Sequence, residues 1–256
     1  MSQRPQHLDQ ILASWPFSPG QVLVREARGQ DGRDVLQMRV DMGLLQMETS
    51  GRPDGSKPAG FETYLDHLTS LASEAGPDFH LDEVHCAEID REFYQYYHRR
   101  ICWLTLKQYA KAVQDADHTL ALMDFSAMHA PDPEWSLLHE QYRPFVMFHK
   151  IQASALLDLE RTDPKAALRM LDQGLRSLAE VFEKHDALQH FDDDGFVVKL
   201  REMREAIVAH YALGPSLAEQ LDAAISKEEY ELAAELRDQL EEKRGREKKS
   251  RESYRK

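Results

Sequence analysis

Two hydrophobic periods divide the chain. Between residues 22 and 49 apolar and polar positions alternate, with Leu36, Met38, Val40 and Met42 interleaved with Gln37, Arg39 and Asp41. A period of two predicts strands with one face turned to a core and the other wet. Residues 22–28 and 35–42 flank Gly29-Gln30-Asp31-Gly32, and an Asp-Gly step between apolar runs marks a hairpin, because Gly accepts positive φ cheaply. Gly43 is expected to bend or bulge the strand before a third run over 44–49, and Gly51-Arg52-Pro53-Asp54-Gly55 is a turn. A small antiparallel sheet of about three strands follows from these signals.

From Phe61 onward the period becomes helical. Ile89, Phe93, Tyr97, Ile101 and Leu104 lie along one helix face, and Tyr109, Ala112, Val113, Ala116, Leu120 and Met123 form the stripe of an antiparallel partner. Asp132-Pro133 and Asp163-Pro164 each combine an N-cap with proline at the first helical position, where its missing N–H does no harm. The first of these helices runs through Trp135, Leu138, Tyr142, Phe145 and Phe148, with a kink expected at Pro144. The second carries Ala167, Leu171, Leu175, Leu178 and Phe182. Ala112 and Ala167 stand at matching positions of the two hairpins, which loosely resemble tetratricopeptide repeats despite a spacing of 55 residues against about 34 for that class. A last body helix with Phe196, Leu200, Met203, Ile207 and Tyr211 ends at Gly214-Pro215.

The expected architecture is mostly α with a small N-terminal antiparallel β-sheet. Residues 1–60 form the β-rich segment, 61–213 a repeat-like helical body packed on the sheet, 214–244 a terminal helical hairpin, and 245–256 a basic disordered tail. In the hairpin, Ser216-x-x-Glu219 and Ser226-x-x-Glu229 have capping-box order, and Ile225 and Tyr230 take the positions of a hydrophobic staple. Leu217, Leu221, Ala224 and Ile225 line one helix, while Tyr230, Ala233, Leu236 and Leu240 fall within an arc of about 120° on the other. Arg237 falls inside that arc. It either meets a carboxylate, from Glu219, Asp222 or another chain, or lays its stem over the hairpin with its head in water.

These residues carry a resemblance. The stretch LAEQLDAAISKEEYELAAELRDQLEE, residues 217–242, resembles the UVR motif shared by the UvrB and UvrC repair proteins, through Ala224, Glu229-Tyr230-Glu231, Ala233-Ala234 and Leu236-Arg237-Asp238. The resemblance implies a protein-binding hairpin that pairs with another such hairpin as a four-helix bundle, a motif found also in adaptors of Clp-type proteases. The partner is then another protein: a UvrB/UvrC-like chain, a Clp-type protease component, or a second copy of this chain. The residues it carries over are Leu217, Leu221, Ile225, Tyr230, Ala233, Ala234, Leu236, Arg237, Asp238 and Leu240. The function expected is that of an interaction scaffold or adaptor. An accessory factor in nucleotide excision repair is the alternative, and a ligand-binding protein or enzyme, with its site between the sheet and the first helices, is the third reading.

Composition narrows these readings. With 30% charged and 42% apolar residues, and with Gly and Pro in ordinary amounts, the chain belongs with folded globular proteins. The net charge of −13 is uneven: residues 243–256 hold eight Lys or Arg against Glu247 and Glu252, and the preceding 242 residues carry −19. An acidic body repels nucleic acid, so a DNA contact falls to the tail. Residues 1–10 are polar, only Cys86 and Cys102 are present, and no apolar run approaches the roughly 20 residues of a membrane span, so a cytoplasmic address is expected.

Enzyme chemistry finds no motif. Gly55-Ser56-Lys57 lacks the order of a phosphate loop, no nucleophile elbow is present, and the Cys-x-x-Cys zinc pairs of McsA-like adaptors are absent. His80, His85, Cys86, His98 and Cys102 are the best metal ligands by type, but their spacing fits no common zinc module. Asp192-Asp193-Asp194 reads as a loop and helix cap. No catalytic, cofactor or metal site is expected.

Overall fold

The structure is a computed structural model that describes residues 7–214 and 217–253. It is predominantly helical, with a three-stranded antiparallel sheet near the N-terminus in the order β1-β2-β3. After a short helix α1 (Asp9–Ser14) come β1 (Leu23–Arg28), β2 (Asp34–Val40) and β3 (Gly43–Glu48). The first hairpin closes where anticipated: the Gly29 N–H donates to the Arg33 carbonyl, and Gly32 takes φ +85°. The second closes at once, Val40 pairing with Gly43 across Asp41-Met42. Gly43 therefore begins a strand instead of bulging one, and Met42, expected on the core face, is a turn residue 92% exposed.

One sheet face packs Leu36 and Met47 against Cys102, Trp103, Ala112 and Ala153 of the helical body. The opposite face is not wet, as alternation alone suggests, since Val35, Gln37 and Arg39 are also buried. Gln37 bridges its cross-strand neighbours, accepting from Arg25 Nε at 2.8 Å and donating to Gln46 Oε1 at 3.0 Å. Arg39 Nε donates to the Trp15 carbonyl at 2.9 Å, and the Arg25 guanidinium lies 4.3 Å from the centre of the Trp15 ring. The segment after α1 thus covers part of that face.

Thr63 caps α2 (Tyr64–Ala75), accepting from the Asp66 N–H, and Asp82 with His85 forms a reciprocal capping box at α3 (Glu83–Thr105). The array continues with α4 (Tyr109–His129), α5 (Pro133–Glu140), α6 (Arg143–Glu160), α7 (Pro164–Lys184) and α8 (Gly195–His210). Asp132 and Asp163 cap α5 and α7 with proline in the first turn. Pro144 does not kink one long helix. The chain breaks at Gln141-Tyr142, and Pro144 opens α6, where no carbonyl of a preceding turn needs its N–H.

Helix α3 packs on α4, α4 on α6, and α6 on α7, so the two hairpins join into one row. Alanines and a glycine set the spacing: Ala112, Ala116, Ala153 and Ala167 are fully buried, and a Cβ on Gly174 would lie 2.5 Å from Ile151 Cγ1. Both hairpins turn the same way. Lys107 and Thr162 adopt left-handed φ of 58° and 59°, and the next N–H in each case donates five residues back, Gln108 to Trp103 and Asp163 to Asp158. Five residues after each left-handed residue stands a buried alanine, Ala112 and Ala167. The 55-residue correspondence is therefore a repeated turn and a repeated close contact, at a longer period than a tetratricopeptide unit.

The buried face of α3 differs from the stripe expected. Cys86, Ile89, Glu92, Tyr96, Arg99, Arg100, Cys102 and Trp103 are buried, whereas Tyr97 is exposed. Charged residues in this seam find partners: Arg99 pairs with Asp115, while Arg52 and His118 both approach Glu92, at 3.2 and 2.8 Å. The Glu92 carboxylate also accepts from the Tyr64 and Leu65 N–H groups at the start of α2.

The chain forms two compact units, residues 1–204 and 205–256, the division falling within α8. The second contains the end of that helix, α9 (Leu217–Ser226) and α10 (Tyr230–Ser253). Helix α10 runs on through residues 245–253, so the basic segment expected to be a disordered tail is helical as far as Ser253. Lys, Arg and Glu are good helix formers, and only Gly245, Ser250 and Ser253 interrupt their run after Leu240.

Candidate functional site

The terminal hairpin is built on the same turn as the body. Glu228 has φ 58°, the Glu229 N–H donates to the Ala224 carbonyl, and five residues after Glu228 stands the buried Ala233. Alanine at 224 and 233 lets α9 and α10 approach closely, and Leu236 with the partly buried Leu221 completes a four-residue seam. Ser226 ends α9 instead of capping α10, because the chain needs residues 227–229 for the turn. The Ser216 capping box lies outside the described residues. Ile225 and Tyr230, expected to brace the turn, are 46% and 69% exposed.

The residues singled out in the sequence therefore separate into two groups. Leu221, Ala224, Ala233 and Leu236 are used within the hairpin, and Leu240 is partly buried. Tyr230, Ala234, Arg237 and Asp238 are exposed on α10. At 100° per residue these four lie within about 100° of one another, beside the seam, with the small Ala234 in their midst. Ile225 and Leu232 add exposed apolar surface. The side chain of Leu217 is not among those described.

In the other unit, the metal-ligand types named in the sequence have structural occupations apart from His80, which is exposed. Cys86 and Cys102 are buried free thiols in separate core clusters, and burial pushes the Cys102 thiol up to about 12. His85 caps α3, and the His98 ring lies 2.8 Å from the Tyr94 carbonyl. Among the described residues no group of three or more His, Cys, Asp or Glu is arranged to hold a metal ion. Asp194 accepts from the Phe196 and Val197 N–H groups, so the acidic run is indeed a helix cap.

Sequence reasoning missed a second feature of the body, a cavity of about 800 Å³ lined by residues of α3–α6 and the first turn of α8. It does not lie between the sheet and the first helices, where the third reading placed a ligand site. Its aromatic walls read as ordinary core positions, and Arg100 on its floor reads as solvated.

Residues 215–245 match the family model described as the UvrB/UvrC motif, covering both helices of the hairpin apart from the distal part of α10. No curated protein and no solved structure matches the chain. The UVR motif mediates protein–protein interactions in the proteins that carry it. Among the described residues no helix is long and apolar enough to cross a membrane.

Proposed function

We propose that the chain is an interaction scaffold or adaptor whose α9–α10 hairpin docks another helical hairpin, on a partner or on a second copy of the chain, with no catalytic role. The observation that carries this reading is the division within the motif: Ala224, Ala233 and Leu236 close the hairpin, while Tyr230, Ala234, Arg237 and Asp238 stay outside on one face. A pair of helices this short gains from further covering surface, with Ile225, Tyr230 and Leu232 exposed, and a small residue flanked by an aromatic and charged groups suits close helix packing with fixed register. A UvrB/UvrC-like chain or a Clp-type protease component is the kind of partner proposed, in the cytoplasm.

Affinity purification of the full chain with and without residues 214–256, read by quantitative mass spectrometry, tests this reading. Partners of the hairpin should disappear from the shortened chain, and retention of every partner contradicts the proposal. A repair-linked role is the second reading, favoured by the motif match and the basic end of α10. It requires a salt-sensitive DNA mobility shift that is lost on deleting residues 243–256.

A further inference from the structure

The cavity is walled by Phe93, Phe145 and Phe196, with Tyr94, Tyr97 and Tyr142 exposed around its mouth. Its volume of about 800 Å³ falls in the range of small-molecule sites, and its lining is mainly apolar. On its floor are Arg100 and Thr119, which are 1% and 2% exposed.

Arg100 is held without a counter-ion. Its Nη1 donates to Thr119 Oγ1 at 2.8 Å and its Nε to His149 Nδ1 at 3.3 Å, and neither bond uses Nη2. His149 is neutral at ordinary pH, because burial and the neighbouring guanidinium push its pKa down to about 3. Burial lowers Arg100 itself, to about 10, leaving it charged at neutral pH. The neighbouring acids are engaged elsewhere: both oxygens of Asp115 accept from Arg99, and Asp90 at the cavity rim accepts from His139 Nε2 at 2.8 Å. Among the described residues no carboxylate lies within 4 Å of Arg100, unlike the neighbouring Arg99 and Arg52.

We propose that this cavity binds a small organic carboxylate with an apolar, aromatic body, its anionic group on the Arg100 guanidinium and its body between Phe93, Phe145 and Phe196. A guanidinium edge matches a planar carboxylate, and a single cation on an apolar floor suits a monoanion better than a phosphate dianion. The rings supply offset or edge contacts to a flat body. Desolvation of Arg100 strengthens its preference for an anion over a neutral group of the same shape.

The test is calorimetric titration of the full chain at pH 7.5 with naphthalene-2-carboxylate and with the neutral naphthalene-2-carboxamide. The carboxylate should bind at least tenfold more tightly than the amide. Arg100→Met should abolish that preference while leaving amide affinity within threefold, and Phe145→Ala should weaken both probes while preserving their ratio. Equal affinities for the two probes on the unmodified chain, or no binding of either at millimolar concentration, overturn the proposal. This comparison needs no variant, so it holds even where Arg100→Met fails to fold.

Discussion

Arg99 and Asp115 meet across the α3–α4 interface in two parallel hydrogen bonds, Nε to Oδ2 at 2.9 Å and Nη2 to Oδ1 at 2.7 Å, with both side chains buried. Arg99 Nη1 also donates to the Gly51 carbonyl at 2.8 Å, so one guanidinium ties the loop after β3 to the helical row. Burial alone would lower the pKa of Arg99, but the Asp115 carboxylate outweighs it and the net shift is upward. Asp115→Ala strands the cation and should lower the unfolding free energy by about 3–5 kcal/mol, whereas replacing both residues by Met and Leu should recover most of that loss. Urea denaturation of the three chains checks this, and a loss below 1 kcal/mol for the single variant shows that the pair is not structural.

Gly174 faces Ile151 where α6 and α7 come closest. Gly174→Ala gains helix propensity but places a Cβ 2.5 Å from Ile151 Cγ1, and should destabilise the body by about 1–3 kcal/mol. In an Ile151→Ala background, which removes all three clashing carbons, the same substitution should cost less. Stability unchanged by the single variant would mean that the helices separate freely there.

Thr162 occupies a left-handed conformation that its branched Cβ disfavours. Thr162→Gly should therefore stabilise the chain by about 1 kcal/mol, read as a higher melting temperature. A lower one would assign Thr162 an interaction worth more than its backbone strain.

His149 gives the fold an acid dependence with a definite sign. Its folded pKa of about 3 lies below the ordinary value near 6.5, so the unfolded chain takes up a proton that the folded chain refuses. The stability this confers is complete above pH 6.5 and is lost as pH falls towards 3, at about 1.4 kcal/mol per pH unit. His149→Gln keeps an acceptor for Arg100 and should show a correspondingly shallower loss between pH 6 and 4. Identical pH profiles contradict the assignment.

Much of the helical row was legible. Ala112, Ala116, Leu171 and Leu178 sit at helical spacing and are fully buried, and the Asp-Pro pairs mark two helix starts by their own chemistry. The seam of α3 was not, because Glu92, Arg99 and Arg100 count as solvent-facing until Arg52, Asp115, Thr119 and His118 are brought beside them from distant segments. The same blindness hid the cavity over Arg100. The wet sheet face failed similarly: nothing in the alternation of β2 reveals that Trp15 returns to cover Arg25 and Arg39. In the hairpin, Ser226 suits both the end of one helix and the cap of the next, and the turn geometry at Glu228 decides between them.

The most direct test of the docking face leaves the internal seam intact. Tyr230→Asp with Ala234→Arg alters only exposed positions of α10, sparing Ala224, Ala233 and Leu236. The double variant should keep the circular-dichroism spectrum of the unmodified chain and, in quantitative affinity purification, should lose by at least tenfold the partners that the unmodified chain retains through residues 214–256. In analytical ultracentrifugation, any concentration-dependent dimer should likewise disappear. If the double variant captures those partners and self-associates as the unmodified chain does, the exposed face of α10 is not a docking surface and the account is wrong.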